Sequence, residues 1–242
     1  MSNYNYTKFD PSQYDLDSFQ GPEIGQKAPD AILKTLGGAP VRLLDFANDF
    51  AGDFLVLETG SITCPLFQGR RKGMAALVAA HPDVKFAILY VREAHPGTLR
   101  PGHRTEADKR QNAEALQRED GEEREIWLDT LGGNAHMAYG QYPNSVFIIN
   151  RNGCIVYMAD WNNPGATGKA LRALKAGKPA TGMGMFVPAP PALVLRTLKS
   201  AGPGAAADFF DGLPRLIWKN LIKRNLRVLF GKQPRVAPDA IC

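Results

Sequence analysis

The stretch "FLVLETGSITCPLFQGR", residues 54–70, changes character halfway along. Asp53 to Thr59 reads as a buried strand, and Pro65 to about Ala80 carries helical spacing. Cys64 stands at the junction. With Pro65 as the first helical residue, where its missing N–H costs nothing, Cys64 becomes the N-cap and lies against the positive end of the helix dipole. That position is expected to lower the thiol pKa and favour the nucleophilic thiolate. Ser61 and Thr63 are expected to add hydroxyl donors to the sulfur.

On either side of this junction the chain alternates strands and helices. "GQKAPDAILKTLGGAPVRLLDFA" offers two short apolar runs around Gly37-Gly38, the pattern of a hairpin leading into a short helix. "VKFAILYV", 84–91, is a second continuous apolar strand, and 105–119 is a charged, mostly solvated helix. "IWLD" is a short strand and "GNAHMAYG" a helical turn. "SVFIINRNGCIVYMAD" is a β-hairpin turning at Arg151-Asn152-Gly153, and a helix from about Ala166 to Lys175 closes the series. The expected fold is α/β and thioredoxin-like: a central mixed sheet with helices on both faces, spanning 22–176. Residues 1–21, polar and tyrosine-rich without periodicity, are expected to form a flexible arm. From 177 to 242 the expectation is a Pro/Gly/Ala-rich linker, to about 212, followed by a basic amphipathic helix.

The chain has 242 residues, 44% of them apolar, enough for a proper core. The +5 formal charge is spread among 29 basic and 24 acidic residues, so bulk charge alone identifies no partner. The amino terminus lacks a basic n-region and an apolar h-region, and no run reaches the roughly 18 apolar residues of a membrane span. A cytoplasmic protein is expected. Cys64, Cys154 and Cys242 lie far apart without a C-x-x-C, so neither a disulfide framework nor a metal cluster is expected. Cys154 reads as structural and Cys242 as a dangling residue.

In an open α/β sheet, ligands bind beyond the carboxyl ends of the parallel strands. Cys64 lies past one such end. Glu93 and His95 of "YVREAHPG" lie past the neighbouring one, with Glu93 placed to orient His95 and His95 to move a proton. Pro143 of "YGQYPNSV" precedes an antiparallel strand at the same edge and is a candidate cis peptide.

These segments together resemble the iodothyronine deiodinase family. "GSITCPLF" is similar to that family's active-site segment, with Cys64 at the selenocysteine position followed by Pro65. "YVREAHPG" matches its Glu-Ala-His segment, "AYGQYPNSVFII" its Tyr-Gly-x-x-Pro segment through Tyr139 and Pro143, and "ADWNNP" its Trp-Asn segment. The resemblance covers roughly 22–176. It implies a reductive, thiol-dependent dehalogenation: the Cys64 thiolate takes iodine from an aromatic substrate, His95 or a neighbour supplies a proton, and an external thiol of the thioredoxin or glutathione type resets the sulfur. No bound cofactor is implied. Three positions depart from the family. Sulfur replaces selenium, Ser145 stands where the family places an arginine, and the family's second histidine has no match, Lys109 and Gln111 occupying that region with His103 in the loop before it.

A peroxiredoxin-like thiol peroxidase is the alternative, with Ser61-x-x-Cys64 approximating that superfamily's Thr-x-x-Cys. Arg70, Arg71 or Arg92 would polarise the peroxide, and Cys242 would be the resolving thiol. A catalytically silent binding module is the third reading. In "LPRLIWKNLIKRNLRVLFGKQPR", Ile217, Trp218, Leu221, Ile222, Leu226, Val228 and Leu229 share one half of a helical wheel, and Lys219, Lys223, Arg224 and Arg227 the other. The apolar half of 216–230 is expected to pack on the core domain or in a homodimer, with an anionic membrane surface as the alternative partner. Nucleic acid is not expected, because no groove-reading motif is present.

Overall fold

The computed structural model describes residues 4–242. Seven strands form one mixed sheet in the order β2-β1-β5-β4-β3-β6-β7. They are β1 (Ile32–Thr35), β2 (Pro40–Arg42), β3 (Phe54–Gly60), β4 (Lys85–Tyr90), β5 (Glu125–Leu128), β6 (Val146–Asn150) and β7 (Ile155–Ala159). β3, β4 and β5 run parallel, and β6 and β7 add an antiparallel hairpin at the β3 edge. This is the thioredoxin-like arrangement expected from the strand and helix order.

The unbroken apolar runs are explained by burial on both faces of the sheet. On one face Phe54, Val56, Phe86, Ile88, Ile126 and Ile148 meet α2 (Pro65–Ala80), α3 (Glu106–Arg118) and α5 (Pro164–Lys175). On the other, Leu55, Leu57, Leu89, Trp127, Phe147 and Ile149 pack with Leu33, with Phe46 of α1 (Phe46–Asp49) and with Ala135 of α4 (Asn134–Ala138). α5 presents Thr167, Ala170, Leu171 and Leu174 to the sheet at helical spacing. Thr105 caps α3 in a reciprocal capping box with Asp108.

Both ends of the chain differ from the sequence expectation. Within the arm expected to be flexible, residues 1–3 lie outside the described residues, while Tyr4, Tyr6, Phe9, Tyr14 and Leu16 are buried. Arg92 anchors the tract: its guanidinium sits 5.1, 4.7 and 5.1 Å from the ring centroids of Tyr4, Tyr6 and Tyr14. Aromatic rings without periodicity give no helix or strand signal, yet they bury well in a tract that folds back on a core.

At the other end, much of the expected linker is helical. α6 (Pro191–Ala201) packs on α2 and is followed by α7 (Ala205–Leu216). α7 continues through a wide π-helical stretch (Ile217–Arg224) into α8 (Asn225–Phe230), one helical rod. The rod packs only partly as the wheel argument expects: Leu216, Ile217 and Leu221 line a cavity over the core domain and Lys223 and Arg227 are exposed, but the buried side chains are polar. Asn220, Arg224 and Asn225 face inward, whereas Trp218, Leu226, Leu229 and Phe230 are 51–79% exposed. The reason is a buried ion pair. Asp160 has its carboxylate 2.5 Å from Nη2 of Arg224, and Asn225 exchanges two hydrogen bonds with the Phe186 backbone. An apolar-half criterion cannot foresee that polar partners are waiting underneath. No helix among the described residues is long and apolar enough to cross a membrane.

The cysteine expectation is also corrected. Cys154 and Cys242 form a disulfide, so Cys242 is neither dangling nor available as a resolving thiol for Cys64. The 88-residue separation carries no sequence signal; the pairing follows from the tail lying beside the β6–β7 hairpin, where Asn150 donates to the carbonyls of Pro238 and Ala240. Cys64 is the remaining free thiol.

Candidate active site

β3 and β4 are parallel and in register from Leu55↔Lys85 to Gly60↔Tyr90, so the loops that follow them leave the sheet side by side. Gly60 is required at this exit: a Cβ there would sit 2.4 Å from the Phe67 ring. The Cys64 N–H bonds to the Ser61 carbonyl at 3.1 Å, closing a turn that delivers Cys64 as the N-cap of α2 with Pro65 in the first turn. Sγ accepts from the Phe67 N–H at 3.5 Å. The expected helix-terminus position is therefore met.

Its expected consequence is not. Cys64 is 2% exposed, and burial raises its pKa to about 12. The Phe67 and Leu66 N–H groups pull it down, and the Glu58 and Glu93 carboxylates push it further up. Desolvation outweighs the helix end, so the resting sulfur is a thiol. Nor do the two hydroxyls serve the sulfur as expected. Thr63 Oγ1 donates to Glu93 Oε2 at 2.6 Å and accepts from the His95 N–H at 3.2 Å, while Ser61 Oγ accepts from the Ala94 N–H at 3.2 Å. Both hydroxyls stitch the Cys64 loop to the Glu93–His95 loop.

Glu93 is the hub of a buried polar network. Oε2 accepts from the N–H and hydroxyl of Thr63, and Oε1 from the Tyr90 hydroxyl at 2.7 Å, from Asn112 Nδ2 at 3.1 Å and from His103 Nε2 at 3.0 Å. Burial alone would push this carboxyl up. The hydrogen bond and charge of His103, with those of Thr63 and Tyr90, more than offset it and hold Glu93 below the usual carboxylate range. The expected Glu93–His95 contact is replaced by Glu93–His103. Tyr90 and Asn112 are network members that the sequence does not point to, and His103, noted in the loop before α3, is given no role by the sequence; its place eight residues beyond the Glu-Ala-His segment is the one available signal.

His95 lies on the sulfur's side of the loop pair. Its ring packs 4.2 Å from that of Phe9 and 5.3 Å from that of Phe209, centroid to centroid, and its Nδ1 is buried without a partner among the described residues. Burial lowers its pKa to about 3, so the imidazole is neutral. Cys64, Pro65, His95, Pro143 and Trp161 line one cavity of about 380 Å³. Pro143 is at the expected place, but its peptide bond is trans, as are all among the described residues. Tyr139 does not reach the cavity: its hydroxyl donates to the Pro29 carbonyl and its ring packs on Phe147.

A second buried carboxylate explains two more of the quoted segments. Glu58, in β3, accepts from Arg124 at 2.5 Å, from Asn144 of "YPNSV" at 2.8 Å and from Asn162 of "ADWNNP" at 2.6 Å. These asparagines brace the loops flanking β6 and β7 against β3. Ser145 is buried, donating to the Asp160 carbonyl, and does not line the cavity. No cluster of metal-ligating side chains occurs among the described residues.

With this geometry in place, comparison with known proteins gives a consistent answer. The model of the iodothyronine deiodinase family matches residues 1–174. The chain belongs to that family. Thyroxine 5-deiodinase of Rattus norvegicus is 32% identical over 153 residues, covering 59% of this chain and 49% of the relative. Type II iodothyronine deiodinase of Sus scrofa is 30% identical over 169 residues, covering 56% of this chain and 62% of the relative. The chain thus spans about half the length of the curated thyroxine 5-deiodinases that it matches. Among solved structures, an uncharacterized conserved protein from Geobacillus kaustophilus aligns with a TM-score of 0.55 at 19% identity, over 68% of this chain and 88% of that one. The deiodinase match ends before α6, so the α6–α8 layer over the cavity lies outside it.

Proposed function

We propose that this protein is a thiol-dependent reductive dehalogenase of the deiodinase type, acting on a halogenated aromatic molecule with Cys64 as nucleophile. The observation that carries this reading is the single free thiol at a helix N-terminus, opening on an apolar cavity that a neutral imidazole also lines, and backed by a hydrogen-bonded carboxylate. The Cys64 sulfur attacks the iodine of a bound aryl iodide while its proton passes by way of the neutral His95 ring to the ring carbon, which keeps the carbon–iodine electron pair; with burial holding the thiol protonated and the imidazole neutral, the transfers are concerted and no free thiolate is formed first. The products are the dehalogenated arene and a sulfenyl iodide on Cys64. Two equivalents of an external thiol reduce this to the free thiol, releasing iodide, a proton and the donor's disulfide. Glu93 acts through Thr63 by holding both loops in place, and His103 keeps Glu93 ionised.

The peroxidase alternative has less support. Arg70 is spent on the carbonyls of Asn162 and Val187, Arg71 on Glu122 and Asp120, and Arg92 on the tyrosine cage, and none of the three lines the cavity. A single-turnover experiment offers an iodinated anisole and hydrogen peroxide in parallel to the reduced protein and to Cys64→Ser, scoring iodide and sulfenic acid. Iodide release that needs Cys64 is expected. Fast sulfenic acid formation with no iodide would transfer the assignment to the peroxidase.

A further inference from the structure

The cavity before Cys64 is charge-free. Its volume of about 380 Å³ lies in the range of small-molecule sites, and no Asp, Glu, Lys or Arg is among its lining residues. The α6–α8 layer supplies Val194, Phe209, Leu213 and Leu216 as a roof, and the folded-back N-terminal tract adds Phe9 and Leu16. The few polar side chains are mostly engaged with one another. The Tyr14 hydroxyl is 2.5 Å from that of Tyr6, and Trp161 Nε1 donates to Asn220 Oδ1 at 2.9 Å.

Two polar groups are left over. His95 Nδ1 is buried without a partner, and the nitrogen of the Asn220 amide, which is not itself fully buried, makes no hydrogen bond among the described residues. An unpartnered buried polar group is costly unless a ligand satisfies it. Both groups belong to neutral side chains. The lining therefore holds neutral side chains and no counter-charge, and a carboxylate or ammonium entering the cavity would be desolvated unpaired.

We propose that the cavity selects an uncharged, apolar halogenated aromatic molecule and rejects the amino-acid form of the same ring. The inference rests on the dehalogenase reading for the word "halogenated"; the exclusion of charge rests on the cavity alone. The part of the lining contributed by α6–α8 lies beyond the residues matched to the family.

The test uses a matched pair, 3,5-diiodo-4-methoxytoluene and 3,5-diiodo-O-methyltyrosine. These share a ring, and the O-methyl group prevents ionisation of the phenol; only the second carries an ammonium and a carboxylate. Binding is measured by calorimetry on the full chain and on Cys64→Ser, and iodide release on the full chain. The toluene is expected to bind both proteins, with the amino acid about 100-fold weaker or worse. Equal affinity, tighter binding of the amino acid, or no binding of either would overturn the proposal. Binding of the toluene without iodide release would overturn the dehalogenase reading and leave the charge selectivity standing, so the two failures are distinguishable.

Discussion

Behind Cys64, one carboxylate collects hydrogen bonds from Thr63, Tyr90, Asn112 and His103; in front of it, the lining of the cavity is almost wholly apolar. The two sides place different demands on sequence. The polar side needs particular atoms at particular distances, so a change of one atom should be felt as lost rate. The apolar side needs volume and the absence of charge, which many sequences satisfy. A similar contrast runs along the C-terminal rod, where an inward arginine is bound to Asp160 while outward leucines touch little.

Removing one hydrogen-bonding atom from the hub should have the largest effect. Glu93→Gln removes the charge facing His103 and puts a donor where only donors point. The dehalogenation rate is expected to fall about 100-fold or more, within the range for acid–base networks, with KM little changed. Steady-state kinetics on a neutral iodoarene check this, and a shift confined to KM would dissolve the distinction between the two sides. Arg224→Met should test the rod. It leaves the buried Asp160 with the Trp161 N–H and, as its one cation, the half-exposed Arg227 3.6 Å away, and the expected loss is about 3–5 kcal/mol. Urea denaturation reads it.

The pH dependence of Cys64 comes next. Since burial raises this pKa to about 12, the thiolate fraction should keep growing about tenfold per pH unit up to that value. Alkylation of the free protein by iodoacetamide should still be accelerating past pH 10, whereas an unperturbed thiol levels off near about 8.5. A plateau near neutral pH would mean that the helix end, not desolvation, governs the sulfur. The smallest effect is expected on the outer face. Leu226→Gln with Leu229→Gln should change stability by less than about 0.5 kcal/mol, because both side chains are exposed. A clear loss in a melting curve at high protein concentration would instead reveal a homodimer that buries this face.

The same contrast explains what could be read in advance. The α2 helix is legible from Pro65 to Ala80 because a proline start, a cysteine cap and helical spacing all agree there. Cys64, Glu93 and His95 are legible because parallel strands put the residues after them at one edge, which is topology rather than side-chain detail. Partner choice is not legible. That Glu93 pairs with His103 depends on how the loop before α3 folds, and no local pattern encodes it. The roof escapes notice for a different reason. A Pro/Gly/Ala-rich composition hides α6 and the start of α7, and Asn220, Arg224 and Asn225 acquire meaning only once Trp161, Asp160 and Phe186 lie beneath them. The helix-end argument for a low thiol pKa fails in the same way, since burial cannot be gauged without the roof.

The stoichiometry of iodide release tests the central claim most directly. With a neutral iodoarene and no added thiol, reduced protein should release or hold one iodine equivalent per chain and stop, because Cys64 is its single free thiol. Adding a thiol should restart turnover, and Cys64→Ser should show neither phase. Iodide production that continues without thiol, or that survives in Cys64→Ser, would contradict the account.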